Sequence, residues 1–338
     1  MKNCSQNGEP EILMPENRFN SSGYAVGIDL GATKTASVMI SQQGEILARH
    51  QTETNASEDP QTALETIAAH IDRYQKDYPK DILGIGVGTP GWHDPKNGII
   101  TNAVHLGWND FEFMHELKSK FDLQNPVFHH TDAIAETLGE FYYGSAQGYT
   151  DFVYLGVGSG LGSGYFCNGD VNSGSTGMAG SIGHFAYDPS QEQCACGLHG
   201  CIEQRVSGIA LTKMLKLLED GELETDQAGK VPFKNHQDVI KAAENHDPQA
   251  IKMLSEMGKW LGIAMSIYIS VLNPQIIVIG GGLGRAAYSY LLPAAKAEAR
   301  SRTLPRYWEN LIFKKSTVAS SAIGAACLVW KNIGKGGG

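Results

Sequence analysis

The 338-residue chain lacks any apolar run long enough to cross a bilayer. Its longest, Trp260 to Leu272, falls short of the roughly 20 residues a spanning helix needs. Residues 1–23 are polar and contain no apolar signal core, which reads as a disordered arm. Basic excess is also missing. The formal net charge is -9, a sign that disfavours nonspecific contact with nucleic acid or anionic membrane. Cysteines number only six, and three of them crowd into residues 194–201. That distribution excludes a disulfide scaffold and points to a metal. There is no low-complexity segment and no short-period repeat. The expectation is a soluble, cytoplasmic globular protein with neither nucleic acid nor membrane as partner.

What is present is glycine, at 40 residues, clustered after apolar runs where nucleotide-binding turns are found. The length predicts two domains. Tyr24 to Leu30 reads as a strand, followed by hairpin strands at Thr35 to Ile40 and Glu45 to His50. Asp59-Pro60 starts a helix to about Tyr74, and Ile82 to Val87 is a short buried strand ending at Gly88-Thr-Pro-Gly91. Phe111 to Phe121 reads as helical, Val127 to His130 as a strand, and Ala133 to Tyr142 as a helix. Strands at Asp151 to Val157 and Gly164 to Cys167 reopen the theme. Helices follow near Ile209–Leu218 and Gln237–Glu244, then a long one from Asp247-Pro248 to Asn273-Pro274. A strand at Gln275 to Ile279 runs into Gly280-Gly-Gly282. Leu291 to Arg300 reads as helical with Pro293 in its first turn, and Ser321 to Lys331 closes the chain. This twofold alternation predicts two related α/β domains with a cleft between them.

Five segments carry candidate chemistry. Asp29-Leu-Gly-Ala-Thr-Lys-Thr35 ends a strand in a glycine turn whose amides, with Thr33 and Lys34, can meet phosphate, while Asp29 can hold Mg²⁺. An ordinary hairpin turn would use the same residues. Glycines at nearly alternate positions in Leu155 to Gly164 weaken a strand pair unless something approaches its backbone. Ile279-Gly-Gly-Gly-Leu283 offers a flat surface for adenine or ribose, although many strand-to-helix turns look alike. Asp132, where a strand meets a helix, suits a general base or a plain N-cap. Finally, His184 with Cys194, Cys196 and Cys201 satisfies a closed, structural Zn²⁺ site; His199 could in principle replace His184 as fourth ligand. Glu203 follows directly and would be aimed by that loop.

In this order the segments GIDLGATKT, TDAIAETLGE, GVGSGLGSG, AGSIGH, CACGLHGCIE and IIVIGGGL resemble the ROK family of bacterial sugar kinases and repressors, from residue 24 to about 331. The resemblance implies an α/β architecture of two actin-like (ribonuclease H-like) domains with an interdomain cleft. Residues 24–131 with about 318–334 would form the smaller domain, and 132–317 the larger one with the zinc loop. It implies an ATP-dependent kinase acting on the primary (6-type) hydroxyl of a hexose or hexose-like acceptor, with Asp132 as catalytic base. Gly31, Thr33 and Lys34 would form the first phosphate loop, Gly158, Ser159 and Gly160 the second, and Gly281 and Gly282 would face the adenosine. Gly91, Asn102, His105, Thr131, Ser181, His184 and Glu203 would line the acceptor site, His184 also binding zinc. A homodimer or homotetramer is implied. Three positions depart from the family pattern: Ser181 replaces glutamate, while Thr131 and His105 replace asparagine. The expectation is preserved chemistry on a changed acceptor: an amino sugar such as kanosamine, a deoxy sugar or a cyclitol in place of glucose. The alternatives are a catalytically inactive sugar-binding sensor, a repressor, or another actin-like transferase. A repressor's helix-turn-helix would have to fit in the two dozen polar residues before Gly27, and the zinc block is not expected in the last.

Overall fold

The computed structural model describes residues 23–54, 59–79, 81–104, 106–190, 192–221 and 233–333. The expected arm at the start, His105 and the final five residues therefore lie outside the described residues, Gly23 excepted.

The first half runs β1 (Tyr24–Leu30), β2 (Lys34–Ser41), β3 (Ile46–Glu53), α1 (Pro60–Asp77), β4 (Ile82–Thr89), β5 (Trp92–Asp94), β6 (Ile99–Ala103), β7 (Trp108–Phe111), α2 (Phe113–Lys120), β8 (Val127–Thr131) and α3 (Asp132–Tyr143). The second half runs β9 (Phe152–Val157), β10 (Leu161–Cys167), β11 (Asp170–Val171), α4 (Gly208–Glu219), α5 (His236–Glu244), α6 (Pro248–Leu272), β12 (Ile276–Gly280), α7 (Gly282–Ala286), α8 (Tyr288–Ser301), β13 (Ile312–Lys315) and α9 (Ser321–Ile333).

The two principal sheets have the same topology. The first is ordered β3-β2-β1-β4-β8 and the second β11-β10-β9-β12-β13. In each, three strands form an antiparallel meander and two more add in parallel to its first strand. Strands β1, β4, β9 and β12 are apolar on both faces because both faces are covered. Edge strand β3 is mostly exposed.

Helices α3 and α9 lie between the sheets. Ala25, Val38 and Ile40 of the first sheet share one core with Phe152, Tyr154, Ile276 and Val278 of the second, and with Ile134, Leu138, Ala322 and Ala326 of the two helices. The neighbouring side chains Val26 and Ile28 face the opposite way, into a core with α1 and α2, as the period of two requires. The second sheet's other face packs on α4, α6 and α8. Two glycines set how closely α9 approaches: a Cβ on Gly27 would overlap the carbonyl of Ala322, and one on Gly86 that of Ala325.

Helix starts follow their caps. Asp59 accepts from the Gln61 amide at 2.9 Å, and Asp247 from that of Ala250 at 2.9 Å, each ahead of a proline. Three differences from expectation stand out. Helix α8 begins at Tyr288, so Pro293 lies inside it and not in its first turn. Strands β5, β6 and β7 form a separate three-stranded sheet, in which Trp108–Phe111 is a strand that ends before the helix. Strand β13 was not anticipated; its burial pattern is mostly exposed, and it carries two lysines that blur its period.

Candidate active site

A cleft of about 770 Å³ opens where β1, β8, β9 and β12 end. Its walls gather Asp29, Gly31, Gly91, Asn102, Thr131, Asp132, Gly158, Ser159, Gly160, Ser181, His184, Glu203, Gly281 and Gly282. Nearly every residue nominated from the sequence therefore meets in one place. Thr33 and Lys34 do not: Thr33, in the β1–β2 turn, and Lys34, the first residue of β2, are both exposed and leave the wall to Gly31 and Ala32. The Gly31 amide donates to the Lys34 carbonyl at 2.9 Å, which closes that turn.

Asp132 opens α3. The cap is its neighbour: the Thr131 hydroxyl accepts from the Ile134 amide at 3.2 Å. This leaves Asp132 in the first turn, where Oδ1 accepts from the Ala133 amide at 2.7 Å. Burial, then the charge of Glu136 one turn on, push the Asp132 carboxyl up to about 7 against the pull of the Ala133 amide. Asp29 is raised to about 8, first by burial, then by Asp132 and Glu136, with Lys34 opposing. A site that accumulates carboxyls this way favours a cation.

Two glycine loops follow the neighbouring strands β9 and β12 and lie side by side in the cleft wall, with Gly281 packed against Val157. Gly158 donates to the Gly160 carbonyl at 2.9 Å, and the Gly208 amide at the start of α4 donates to the Gly158 carbonyl at 2.8 Å. Gly281 has φ +75°, a conformation that favours glycine, and its amide donates to the Tyr154 hydroxyl at 3.0 Å. No atom lies within 4 Å of where a Gly282 Cβ would stand, so that surface is open.

His184, Cys194, Cys196 and Cys201 place their ligand atoms within 4.8 Å of one another. Nδ1 of His184 lies 3.7 Å from Sγ of Cys194, and Sγ of Cys196 lies 3.6 Å from that of Cys201. Such spacing matches the edges of a tetrahedron with metal–ligand bonds of about 2.0–2.3 Å. The fourth corner is His184, not His199. The Gln204 side-chain amide donates to Sγ of Cys194 at 3.4 Å, the kind of outer contact that suits a thiolate ligand.

Elsewhere in the cleft wall, Gly91 has φ +103° and lets the chain turn beside Asn102. Ser181 accepts from Nε1 of Trp92 at 2.9 Å and donates to the Met178 carbonyl at 2.8 Å. The Trp92 ring meets that of His184 edge-on, with centroids 4.9 Å apart. Glu203 is buried and accepts from the Leu161 amide at 2.8 Å, so one of its oxygens holds the second glycine loop. Behind this wall, the Thr89 hydroxyl lies 3.0 Å from Nε2 of both His93 and His129, whose rings stack at 4.3 Å.

A profile of the ROK family matches residues 25–332. The chain belongs to the ROK family. It is similar to a glucokinase of Halalkalibacterium halodurans, 32% identical over 91% of this chain and 96% of that protein. It is similar also to the DNA-binding transcriptional dual regulator NagC of Escherichia coli, 30% identical over 90% of this chain and 75% of that protein. Among solved structures, a ROK glucokinase from Streptomyces griseus, in complex with glucose and AMPPNP, superposes with a TM-score of 0.78 at 23% identity, over 91% of this chain and 99% of that one. The fold is thus the ROK arrangement of two actin-like domains around a cleft.

Within this ROK cleft three residues escaped the sequence reading. Trp92 and Glu136 both line it, as does Lys213, which bonds Glu192 and Gln204. Glu136 was findable, since it stands four residues after Asp132 and shares its helix face. Trp92 carried a weaker signal: it follows a Pro-Gly turn, but its contact with Ser181 spans 89 positions. No helix among the described residues is long and apolar enough to cross a membrane.

Proposed function

We propose that this protein transfers the γ-phosphoryl group of ATP to the primary hydroxyl of a hexose-like acceptor. The observation that carries the reading is Asp132: a carboxyl at the first turn of α3, raised to about 7, in a cleft flanked by two glycine loops. A base with a pKa near working pH combines a usable carboxylate fraction with proton affinity. Asp132 accepts the proton of the attacking hydroxyl as its oxygen bonds to phosphorus, and the oxygen bridging to ADP departs. The amides of the Gly31, Gly158–Gly160 and Gly281–Gly282 segments cradle the nucleotide. Asp29 is the residue that would hold Mg²⁺, which when bound neutralises phosphate charge. Zn²⁺ would sit on His184, Cys194, Cys196 and Cys201 with no open position, and it would brace the loop carrying His184 and Glu203.

The acceptor differs from glucose in this reading. Ser181 replaces a bidentate carboxylate with one hydroxyl already engaged by Trp92 and Met178, and Thr131 spends its hydroxyl on capping α3. The wall offers fewer acceptors to a polyhydroxylated ring, and the Trp92 indole lines it. An amino sugar, a deoxy sugar or a cyclitol fits that chemistry. The sensor reading draws on similarity to a DNA-binding regulator. ADP formation across an acceptor panel separates the two: turnover with any acceptor supports the kinase, and none supports the sensor.

A further inference from the structure

Glu136 is a partly buried carboxylate in the cleft wall, and both its oxygens are engaged. Oε2 accepts from the Tyr154 hydroxyl at 2.8 Å, and Oε1 from the Ser321 hydroxyl at 2.6 Å. Tyr154 is 1% exposed, and its oxygen in turn accepts from the Gly281 amide at 3.0 Å. One chain of hydrogen bonds thus joins four parts of the cleft: the glycine loop after β12, strand β9, the first residue of α9, and the turn of α3 that follows Asp132. Gly280 and Gly156 leave room for it, since a Cβ at Gly280 would overlap the Tyr154 ring and one at Gly156 would crowd both the ring and Glu136. The position of Glu136 beside the start of α9 is favourable for a negative charge.

We infer that Glu136 is a positioning residue that fastens the Gly281 loop and the start of α9 to the segment of α3 bearing Asp132. Its work is registration. A nucleotide seated on Gly281–Gly282 has its phosphate end aligned with Asp132 only while these elements keep their spacing, and rate is sensitive to displacements of about 1 Å. The inference rests on the kinase reading for its consequence in turnover, but the tie itself can be read from nucleotide binding alone.

The test uses the full chain as wild type, Tyr154→Phe, Glu136→Ala, Glu136→Gln and the Tyr154→Phe/Glu136→Ala double variant. MgADP affinity is measured by calorimetry, and kcat and both KM values with the best acceptor. Losing a bond to a charged group predicts about tenfold weaker MgADP binding in Tyr154→Phe and in Glu136→Ala. The double variant should lose clearly less than the sum of the two singles, because both cut the shared Tyr154–Glu136 link. Glu136→Gln, whose amide oxygen still accepts from Tyr154, should recover much of the loss. KM for ATP should rise and kcat fall while KM for the acceptor stays within about twofold. Additive losses in the double variant would overturn the inference. So would MgADP affinity left at the wild-type value in Tyr154→Phe, with only thermal stability reduced. A wild type without turnover on any acceptor sinks the kinase reading instead, and the calorimetry still decides the tie.

Discussion

Lowering the pH from 8 to 6 should cut kcat/KM for the acceptor about tenfold. The perturbation acts on Asp132. Its carboxyl is raised to about 7, first by burial and then by Glu136. A carboxyl raised this way holds its proton below 7 and is active as a base above it. The carboxylate fraction is then about 0.9 at pH 8, about 0.1 at pH 6 and about 0.01 at pH 5. The rate should therefore track a single acidic limb, losing about a factor of ten per unit once below 7. Asp29, raised to about 8, titrates in the same range, so saturating Mg²⁺ and nucleotide are kept at each pH. The assay is coupled ADP detection with the coupling enzymes in excess. A profile flat between pH 8 and 6 would refute the reasoning that Asp132 is both the base and desolvated.

Three further outcomes follow from the same geometry. The purified protein should contain about one zinc per chain by atomic emission, and Cys201→Ser should lose it together with a large part of its thermal stability, as structural zinc sites do; a wild type free of metal removes the zinc assignment. Ser181→Glu should shift the ratio of kcat/KM values toward glucose, against the best amino sugar or cyclitol, by about tenfold or more, because it restores acceptors for hydroxyl groups; an unchanged ratio would detach Ser181 from acceptor choice. His93 is fully buried and its pKa is lowered to about 3, chiefly by burial and then by His130. Its neutral form favours the fold fully above about 6.5, and that contribution fades as pH falls toward 3. The stability gap between wild type and His93→Gln should shrink by about 2 kcal/mol from pH 7 to pH 5 in urea titrations, and a constant gap would contradict the lowered pKa.

Much of this fold was legible because its signals are local. Asp59-Pro60 and Asp247-Pro248 mark helix starts through contacts three residues long or less, and apolar runs such as Ile276–Gly280 mark strands covered on both faces. The small sheet of β5, β6 and β7 was not legible. Its strands are three to five residues long and are held by cross-strand pairing such as Trp92 with Asn102, too short for a period to emerge. In the site, Asp132, the cluster of His184, Cys194, Cys196 and Cys201, and the glycine loops could be named because motif spacing keeps them in fixed order. Thr33 and Lys34 were nominated by chemistry, but whether such side chains line the cleft depends on tertiary placement, and both are exposed while Gly31 and Ala32 form the wall. The Glu136–Tyr154–Gly281 chain joins positions far apart in sequence, so only tertiary geometry reveals it.

The central claim is phosphoryl transfer with Asp132 as base. Its most direct test is ADP formation by wild type and Asp132→Asn across hexoses, amino sugars, deoxy sugars and cyclitols, with MgADP binding measured beside it. The account predicts that wild type turns over at least one acceptor, better than glucose. It predicts that Asp132→Asn binds MgADP within about twofold of wild type and is slower by about 10²–10⁴-fold. Near-normal turnover in Asp132→Asn would contradict it.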